Sequence, residues 1–469
     1  MHFWIGVENF AKIESAKICV DNYTVLVGEN NSGKTFLMQL VQGVGKKMVN
    51  FIDETIMNEF LVEETVLYKH YLISEKNVSK ITTFINEKLM VEKEHIIKEN
   101  FGKDITVGSL YIDISMDEKT AYDLVILDSK GFDKKKLLEV VNKVKLDGSI
   151  VEAMGKFPGT ELSKMGMCIV NRKNKETKEN KVISIDAIEC DNDIILFREG
   201  LRSIMEPESL FLPASRTGLL LLYREFFANK ADNERSFSLI DGRVVHNRES
   251  YGDLTQPMYE FLRFLQTYYE EEKIRDVYKE ELKFFEEHLI EGHISMNKQG
   301  GFSYASNNEN GTVPMYLASS MINEVAPLAL AITSRNHYQR MIIDEAEASL
   351  HPQKQLELVR FFNRLNNKGM SLIVSTHSDT FVSKLNNLYI LSHQVKKNGE
   401  DILEQFNLEK QDLIEPERLF VYEFVNQPNG KSIVKEMKGN SKTGYQFDLF
   451  TDSAVHLYEE ATKLGEIEE

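Results

Sequence analysis

The sequence predicts an α/β fold built around a phosphate-binding loop, and three observations predict it. The first is Gly28-Glu29-Asn30-Asn31-Ser32-Gly33-Lys34-Thr35, a G-x-x-x-x-G-K-T run. It follows the apolar Val25-Leu26-Val27 and precedes a helical pattern of Phe36, Leu37, Leu40, Val41 and Val44. Glycines in such a loop let successive backbone N–H groups turn toward phosphate oxygens. The lysine then reaches the β- and γ-phosphates and the threonine hydroxyl can ligate Mg²⁺. Gly28, Asn30, Asn31, Ser32, Gly33, Lys34 and Thr35 are therefore candidate nucleotide contacts. The second observation is Met341-Ile342-Ile343-Asp344-Glu345, an apolar strand ending in two acids. A loop of this kind needs a carboxylate on the strand beside it to hold the hydrated metal. Asp344 takes that role with Thr35, and Glu345 takes the role of the base that polarises the attacking water. The third is Ser375-Thr376-His377-Ser378, which ends another strand. A histidine at that tip can donate to a γ-phosphate and sense its loss, so His377 is a candidate catalytic residue.

The elements follow in order along the 469 residues. Residues 2–28 read as three short strands carrying Phe3, Ile5 and Val7, then Ile13, Ile18 and Val20, then Thr24–Val27. The helix after the loop runs to about Met48. Residues 51–100 have Phe51, Ile52, Ile56, Phe60 and Leu61 at helical spacing, which predicts a helical insertion. Strand patterns return at Leu110–Ser115, Asp123–Leu127, Met167–Val170, Val182–Ile188 and Asp193–Phe197, with a helix at Lys134–Val144 between them. Ser209–Gly218 reads as a strand ending in a polar turn. Met258, Leu262, Leu265, Tyr269 and then Ile274, Tyr278, Leu282, Phe285 and Leu289 predict a short helical hairpin. A β-hairpin is expected from Ile294–Met296 and Phe302–Tyr304 about a turn at Gln299-Gly300-Gly301, with a further turn at Asn310-Gly311. Helices at Asn323–Ser334 and Gln353–Asn366 alternate with strands Met341–Ile343 and Ser371–Val374, and Gly369 is a natural C-cap. Residues 417–437 read as a hairpin turning at Pro428-Asn429-Gly430, and Ser453–Leu464 as a last helix.

Composition narrows the class. With 42% apolar and 28% charged residues the chain is ordinary globular protein. No apolar run approaches the ~20 residues that span a bilayer. The first residues show neither a basic region nor an apolar leader, so a cytoplasmic protein without a membrane partner is expected. Cys19, Cys168 and Cys190 lack metal-ligand spacing and read as buried free thiols in a reducing compartment. The formal net charge of −17 argues against a protein that coats nucleic acid; any DNA contact must be local or supplied by a partner. Phe10 reads as core rather than as an adenine stack, and Gln39 and Gln42 as helix positions. Lys134-Lys135-Lys136 reads as a solvated helix face, and Asp191-Asn192-Asp193 as a turn.

The series Gly28–Thr35, Ile342–Pro352 and Val374–Ser378 resembles ABC-type ATPases of the RecF, structural-maintenance-of-chromosomes (SMC) and OLD group. The Glu-x-x-Leu-His-Pro ending, Glu347-Ala348-Ser349-Leu350-His351-Pro352, separates that group from transporter ATPases. Phe211–Gly218, with its Leu-Pro-Ala-Ser-Arg-Thr-Gly run, and Ser319–Glu324 resemble the OLD-type ATPases of bacterial anti-phage defence. The resemblance covers roughly 1–48 and 205–391. It implies a RecF/SMC-like head with helical insertions and a small C-terminal β-hairpin plus helix. An N-terminal ATPase lobe is expected from 1–48 and 105–216, and a C-terminal lobe from 292–391. Residues 49–104 and 217–291 would be helical insertions, and 392–469 the hairpin and helix. By position, Leu317–Glu324 would be the signature that caps a partner's nucleotide, with Ser319 and Ser320 facing the γ-phosphate. Both signature glycines are absent, and Met321 stands where the family often has Gly. Arg216 contacts nucleotide or DNA, or pairs with an acid.

The resemblance thus implies ATP and Mg²⁺ as cofactors and a homodimer or higher even oligomer. It implies an ATP-hydrolysing switch that controls a separately encoded nuclease or toxin. No nuclease is expected in this chain, because 392–469 is short for a Toprim domain and contains no Asp-x-Asp. Two rivals remain: a RecF-like repair ATPase that binds DNA itself, and an ATP-gated scaffold with little hydrolysis. A transporter ATPase is disfavoured by the large insertion between the loop and the acidic strand.

Overall fold

The computed structural model describes residues 2–127, 134–147, 150, 166–177, 180–188, 190, 192–235, 237–240, 243–246, 254–296, 301–308 and 311–467. The chain divides into two compact units. One comprises Met1–Val7, Gly43–Ile96 and Val107–Pro207; the other comprises Glu8–Gln42, Ile97–Thr106 and Glu208–Glu469.

The first unit is built on an antiparallel sheet of Leu61–Glu64, Tyr68–Ser74, Thr120–Leu127, Gly166–Asn174 and Asn180–Ile188, in that order. The helix Lys134–Val144 lies over the sheet, with Leu137, Val140, Val141 and Val144 buried in one cluster with Val125, Leu127, Met167 and Ile169. Two expectations fail here. Residues 61–74 were expected to be helical, yet they form a strand pair, because Tyr68, Tyr71 and Ile73 bury against Thr120–Leu127. Asp193–Phe197 was expected to be a strand, yet Asp193–Met205 is a helix. Asn192 caps it by accepting from the Ile194 N–H, and Ile194, Phe197, Leu201 and Met205 recur on one buried face. Only Asn192 and Asp193 of the Asp191–Asp193 turn lie within the described residues. The described part of the helix they start, rather than a turn, accounts for Asp193.

The second unit holds a mixed sheet in which Ser209–Leu212, Arg340–Ile343, Ser371–Thr376, Tyr23–Gly28, Leu419–Asn426, Ser432–Met437 and Ile13–Cys19 follow one another. The first five run parallel, and Tyr23–Gly28 is buried at every position. Burial on both faces explains its unbroken apolar run Val25-Leu26-Val27. Helices Ser320–Thr333 and Pro352–Asn367 share a core with this sheet: Val325, Leu328, Leu358 and Phe362 join Val25, Met341, Leu372 and Val421. Helix Pro352–Asn367 ends where expected, with Gly369 at φ +98. The expected helical hairpin over 258–289 is four pieces, Gln256–Gln266, Glu272–Val277, Lys279–Phe284 and a π-turn Phe285–Leu289. Gly292–Met296 and Phe302–Ser306 pair antiparallel as expected. Gln299, Gly300 and Asn310 of the expected turns lie outside the described residues.

The largest departure concerns 392–469. The hairpin was expected as an appendage to the ATPase, but Leu419–Asn426 pairs in parallel with the phosphate-loop strand itself, Leu419 opposite Tyr23 and Phe424 opposite Gly28. The loop strand therefore groups with 208–469 rather than with 105–207, and the expected lobe of 1–48 plus 105–216 is not a unit of this structure. Among the described residues no helix is long and apolar enough to cross a membrane.

Candidate nucleotide site

The phosphate loop is held from several sides. Gly28 leaves its strand at φ +144, and a Cβ there would stand 2.7 Å from the Phe424 carbonyl oxygen. Gly33 turns at φ +101, where a Cβ would meet Ile13 Cγ1 at 2.9 Å. Asn31 also adopts positive φ. The Ser432 hydroxyl donates to the Ser32 carbonyl at 2.6 Å, and Lys12 Nζ donates to the Asn31 carbonyl at 2.6 Å. Asn426 bonds the Glu29 carboxylate. The helix Lys34–Gly45 begins as the loop ends, with the Leu37 N–H donating to the Gly33 carbonyl. Lys34 is buried, and its Nζ lies across the loop, donating to the carbonyls of Gly28 (3.0 Å) and Glu29 (2.8 Å) and to Ser32 Oγ (3.2 Å). Burial pushes its ammonium down to about 8, against the pull of Asp344, Glu345, Glu347 and Glu29. Phe10 is core, as expected, packed with Phe36 and Phe101. Gln39 and Gln42 are helix positions.

Asp344 lies at the end of the strand Arg340–Ile343. That strand was expected beside the loop strand; instead Ser371–Thr376 lies between them. The intervening strand carries Ser375 one residue before its end, and the Ser375 hydroxyl bridges the gap. Ser375 Oγ donates to Asp344 Oδ1 at 2.6 Å, and Thr35 Oγ1 donates to Asp344 Oδ2 at 2.7 Å. Ser375 Oγ also accepts from the Glu345 N–H at 2.8 Å. The set of Thr35 hydroxyl and Asp344 carboxylate is all hard oxygen, which fits Mg²⁺. The sequence pattern assigns Ser375 no role; its position two residues before His377 is the only local signal.

Glu345 takes a left-handed backbone, φ +47. Its half-buried carboxyl is raised above the usual carboxylate range by burial and by Asp344, with Lys34 and Arg216 pulling the other way. His377 is half-buried and hydrogen-bonds the Gly28 main chain. Burial and the Lys34 charge hold its imidazole below the ordinary value, so it is neutral near pH 7. Glu347 accepts from the His377 N–H, while its Oε2 is buried with no hydrogen-bond partner among the described residues. Glu347 is a second group that the sequence shows only as one letter of a motif.

The structure brings Gly28–Thr35, Asp344, Glu345 and His377 together. Ser319 and Ser320 stand apart from them on the surface, with Ser319 capping helix Ser320–Thr333 through the Ile322 N–H. The connection between that helix and the acids is Arg216, which is 1% exposed. It donates to the carbonyls of Glu324, Asp344 and Glu345. Of the expectations for Arg216, pairing with an acid holds, in the core rather than on the surface: Nε lies 3.0 Å from Glu324 Oε1. Cys19 and Cys168 are buried free thiols; Cys190 is free and half-buried.

Residues 184–383 match the family model described as "AAA domain, putative AbiEii toxin, Type IV TA system". The matched span contains Arg216, Ser319, Asp344, Glu345 and His377 and begins after the phosphate loop. The chain is 30% identical over 99 residues to an energy-coupling factor transporter ATP-binding protein of Mycoplasma mobile. That match covers 20% of this chain, which spans about a third of the length of the curated relative. Among solved structures, the SMC head domain of Thermotoga maritima is similar at 11% identity and TM-score 0.33, over 93% of this chain and 100% of that one. A Pyrococcus furiosus Smc head domain with an extended coiled coil, bound to the C-terminal domain of ScpA, is similar at 11% identity and TM-score 0.34, over 98% of each chain. The chain carries a P-loop ATPase domain of the AAA/ABC type.

Proposed function

We propose that this protein binds and hydrolyses ATP as a dimeric switch that controls a separate effector, a nuclease or toxin, in anti-phage defence. The observation that carries the catalytic half is the meeting of three motifs on one carboxylate. Thr35 and Ser375 both donate to Asp344, which joins the phosphate loop, the acidic strand and the histidine strand within one unit. The loop and Lys34 bind the polyphosphate, with Lys34 exchanging its loop carbonyls for phosphate oxygens. Thr35 and Asp344 would hold Mg²⁺, which neutralises charge on the β- and γ-phosphates when bound. Glu345, placed beside Asp344 with its carboxyl raised above the usual carboxylate range by burial, takes the proton of the attacking water. His377, which donates to the Gly28 main chain without nucleotide, exchanges that contact for the γ-phosphate and so reports its release.

The dimeric half rests on Ser319 and Ser320, which are exposed at a helix start and free to face another protomer's nucleotide. The defence role rests on the Leu212–Gly218 run and on the family description naming a toxin. Lys34→Ala is expected to lose ATP binding, measured with a fluorescent nucleotide, and unchanged affinity would overturn the assignment of the loop. Glu345→Gln is expected to keep ATP, lose phosphate release and accumulate as a dimer in light scattering. A variant that stays monomeric with ATP bound refutes the switch. Phage plating on cells carrying the protein with its neighbouring genes, wild type against Lys34→Ala, tests the defence role, and equal plating refutes it.

A further inference from the structure

We propose that Arg216 is a positioning residue for hydrolysis: a buried strut that sets the backbone of Glu345 and ties it to the helix that opens at Ser319. The proposal rests on the reading of Glu345 as the base. Three contacts define the strut. Arg216 Nη1 donates to the Asp344 carbonyl at 2.8 Å, Nη2 donates to the Glu345 carbonyl at 3.0 Å, and Nε donates to the Glu324 carbonyl at 3.0 Å. The same guanidinium pairs with the Glu324 carboxylate. Only a rigid, planar fork with donors along two edges can bridge carbonyls of consecutive residues and a third carbonyl behind it. A lysine offers one point of charge and cannot.

What the strut holds is a conformation that needs holding. Glu345 has φ +47, a region that non-glycine residues enter at a cost. Its N–H is pinned by Ser375 Oγ and its carbonyl by Arg216, so the peptide on each side is fixed by a different element. Glu324, in turn, is anchored from the start of the helix Arg216–Arg235. Thr217 donates to Glu324 Oε2 from its N–H at 3.1 Å and from its hydroxyl at 2.6 Å, and the same hydroxyl lies 3.4 Å from the Ser320 carbonyl. A shift of Ser319 and Ser320 thus reaches Glu324 within about one helical turn, and Glu324 passes it to Arg216 and the backbone of both acids. Arg216 is nearly inaccessible and touches neither loop nor surface, so its part is to place Glu345 rather than to bind nucleotide.

The test uses the full chain with Arg216→Lys and Glu324→Gln. Steady-state hydrolysis is expected to show kcat reduced at least ~10-fold, with the ATP dissociation constant within ~3-fold of wild type. Amide hydrogen exchange without nucleotide should rise in the segment 340–350 and stay unchanged in helix Pro352–Asn367. A folded Arg216→Lys variant with unchanged kcat and unchanged exchange in 340–350 overturns the strut, as does an equal fall of kcat and ATP affinity. Should Arg216→Lys fail to fold, Glu324→Gln and Thr217→Val carry the same readouts, and unchanged kcat with unchanged exchange in those variants overturns the strut equally. Absence of phosphate release by the wild-type protein would instead refute the proposed hydrolysis, and the nucleotide-free exchange would still decide whether Arg216 holds this backbone.

Discussion

Replacing Gly28 with alanine tests how the C-terminal hairpin and the phosphate loop depend on each other. Gly28 sits at φ +144, a backbone region reserved for glycine, which costs an alanine about 1–3 kcal/mol. The added Cβ would also stand 2.7 Å from the Phe424 carbonyl oxygen and 2.8 Å from its Cβ. The obstacle is backbone of a paired strand, Phe424 opposite Gly28, so no flexible side chain can move aside. Overpacking of that kind costs a further ~1–3 kcal/mol. The sum, about 2–6 kcal/mol, is a large share of a typical domain's stability. Gly430→Ala is the comparison. It also has positive φ, +78, but among the described residues nothing lies within 4 Å of its Cβ, so only the backbone penalty of ~1–2 kcal/mol applies. Urea unfolding followed by far-UV circular dichroism, without nucleotide, should place the Gly28→Ala midpoint clearly below that of Gly430→Ala. An equal or smaller loss at Gly28 would refute the packing of Leu419–Asn426 against the loop.

Two further outcomes concern pH. Lys34 titrates near 8 in the free protein, and a bound polyphosphate keeps it charged, so kcat/KM for ATP should fall above about pH 8 while kcat holds. Steady-state rates from pH 6.5 to 9.5 check this, and parallel profiles would contradict it. In the other unit, burial pushes the Glu206 carboxyl up to about 7, against the Val49 N–H and Arg202 that favour its ionised form. With a folded value above the unfolded one, the native state binds more protons between about pH 4.5 and 7, so stability declines as pH rises through that window. Glu206→Gln should remove this decline and be more stable than wild type at pH 8 by up to ~3 kcal/mol, with the gain vanishing near pH 4.5. Denaturation midpoints at the two pH values measure it, and an unchanged difference at both would refute the sign.

The site was legible where its chemistry is written in adjacent residues. Gly28–Thr35 announces itself because a loop that wraps phosphate needs its glycines, lysine and threonine at fixed covalent spacing. Asp344-Glu345 and Thr376-His377 are visible for a similar reason, as polar residues that end apolar strands. Arg216 stands out but cannot be placed from sequence, because its partners lie 108 to 129 residues away along the chain. Ser375 and Glu347 have no role that sequence reveals: nothing local distinguishes a serine that bridges two strands, or a glutamate that accepts from a backbone N–H, from ordinary neighbours of a motif. The errors in secondary structure have equally physical causes. Ile194, Leu196 and Phe197 fit a strand or a helix over five residues, and the Asn192 cap with Leu201 and Met205 decides for helix. Tyr68–Ser74 is a strand because Thr120–Leu127 offers it a pairing edge, which no local pattern reveals.

The sequence by itself determined the groups this protein can offer to phosphate and metal, and the α/β class of the elements that carry them. Tertiary structure alone decided their arrangement. It put Ser371–Thr376 between the acidic and loop strands, so that Ser375 rather than a neighbouring backbone bridges Asp344. It set Leu419–Asn426 against Gly28, and it buried Arg216 behind Glu345. Side-chain chemistry and turn geometry act over a few residues and survive in the written order. Strand pairing and the satisfaction of buried charge act between segments hundreds of residues apart, and only the folded chain brings those segments together.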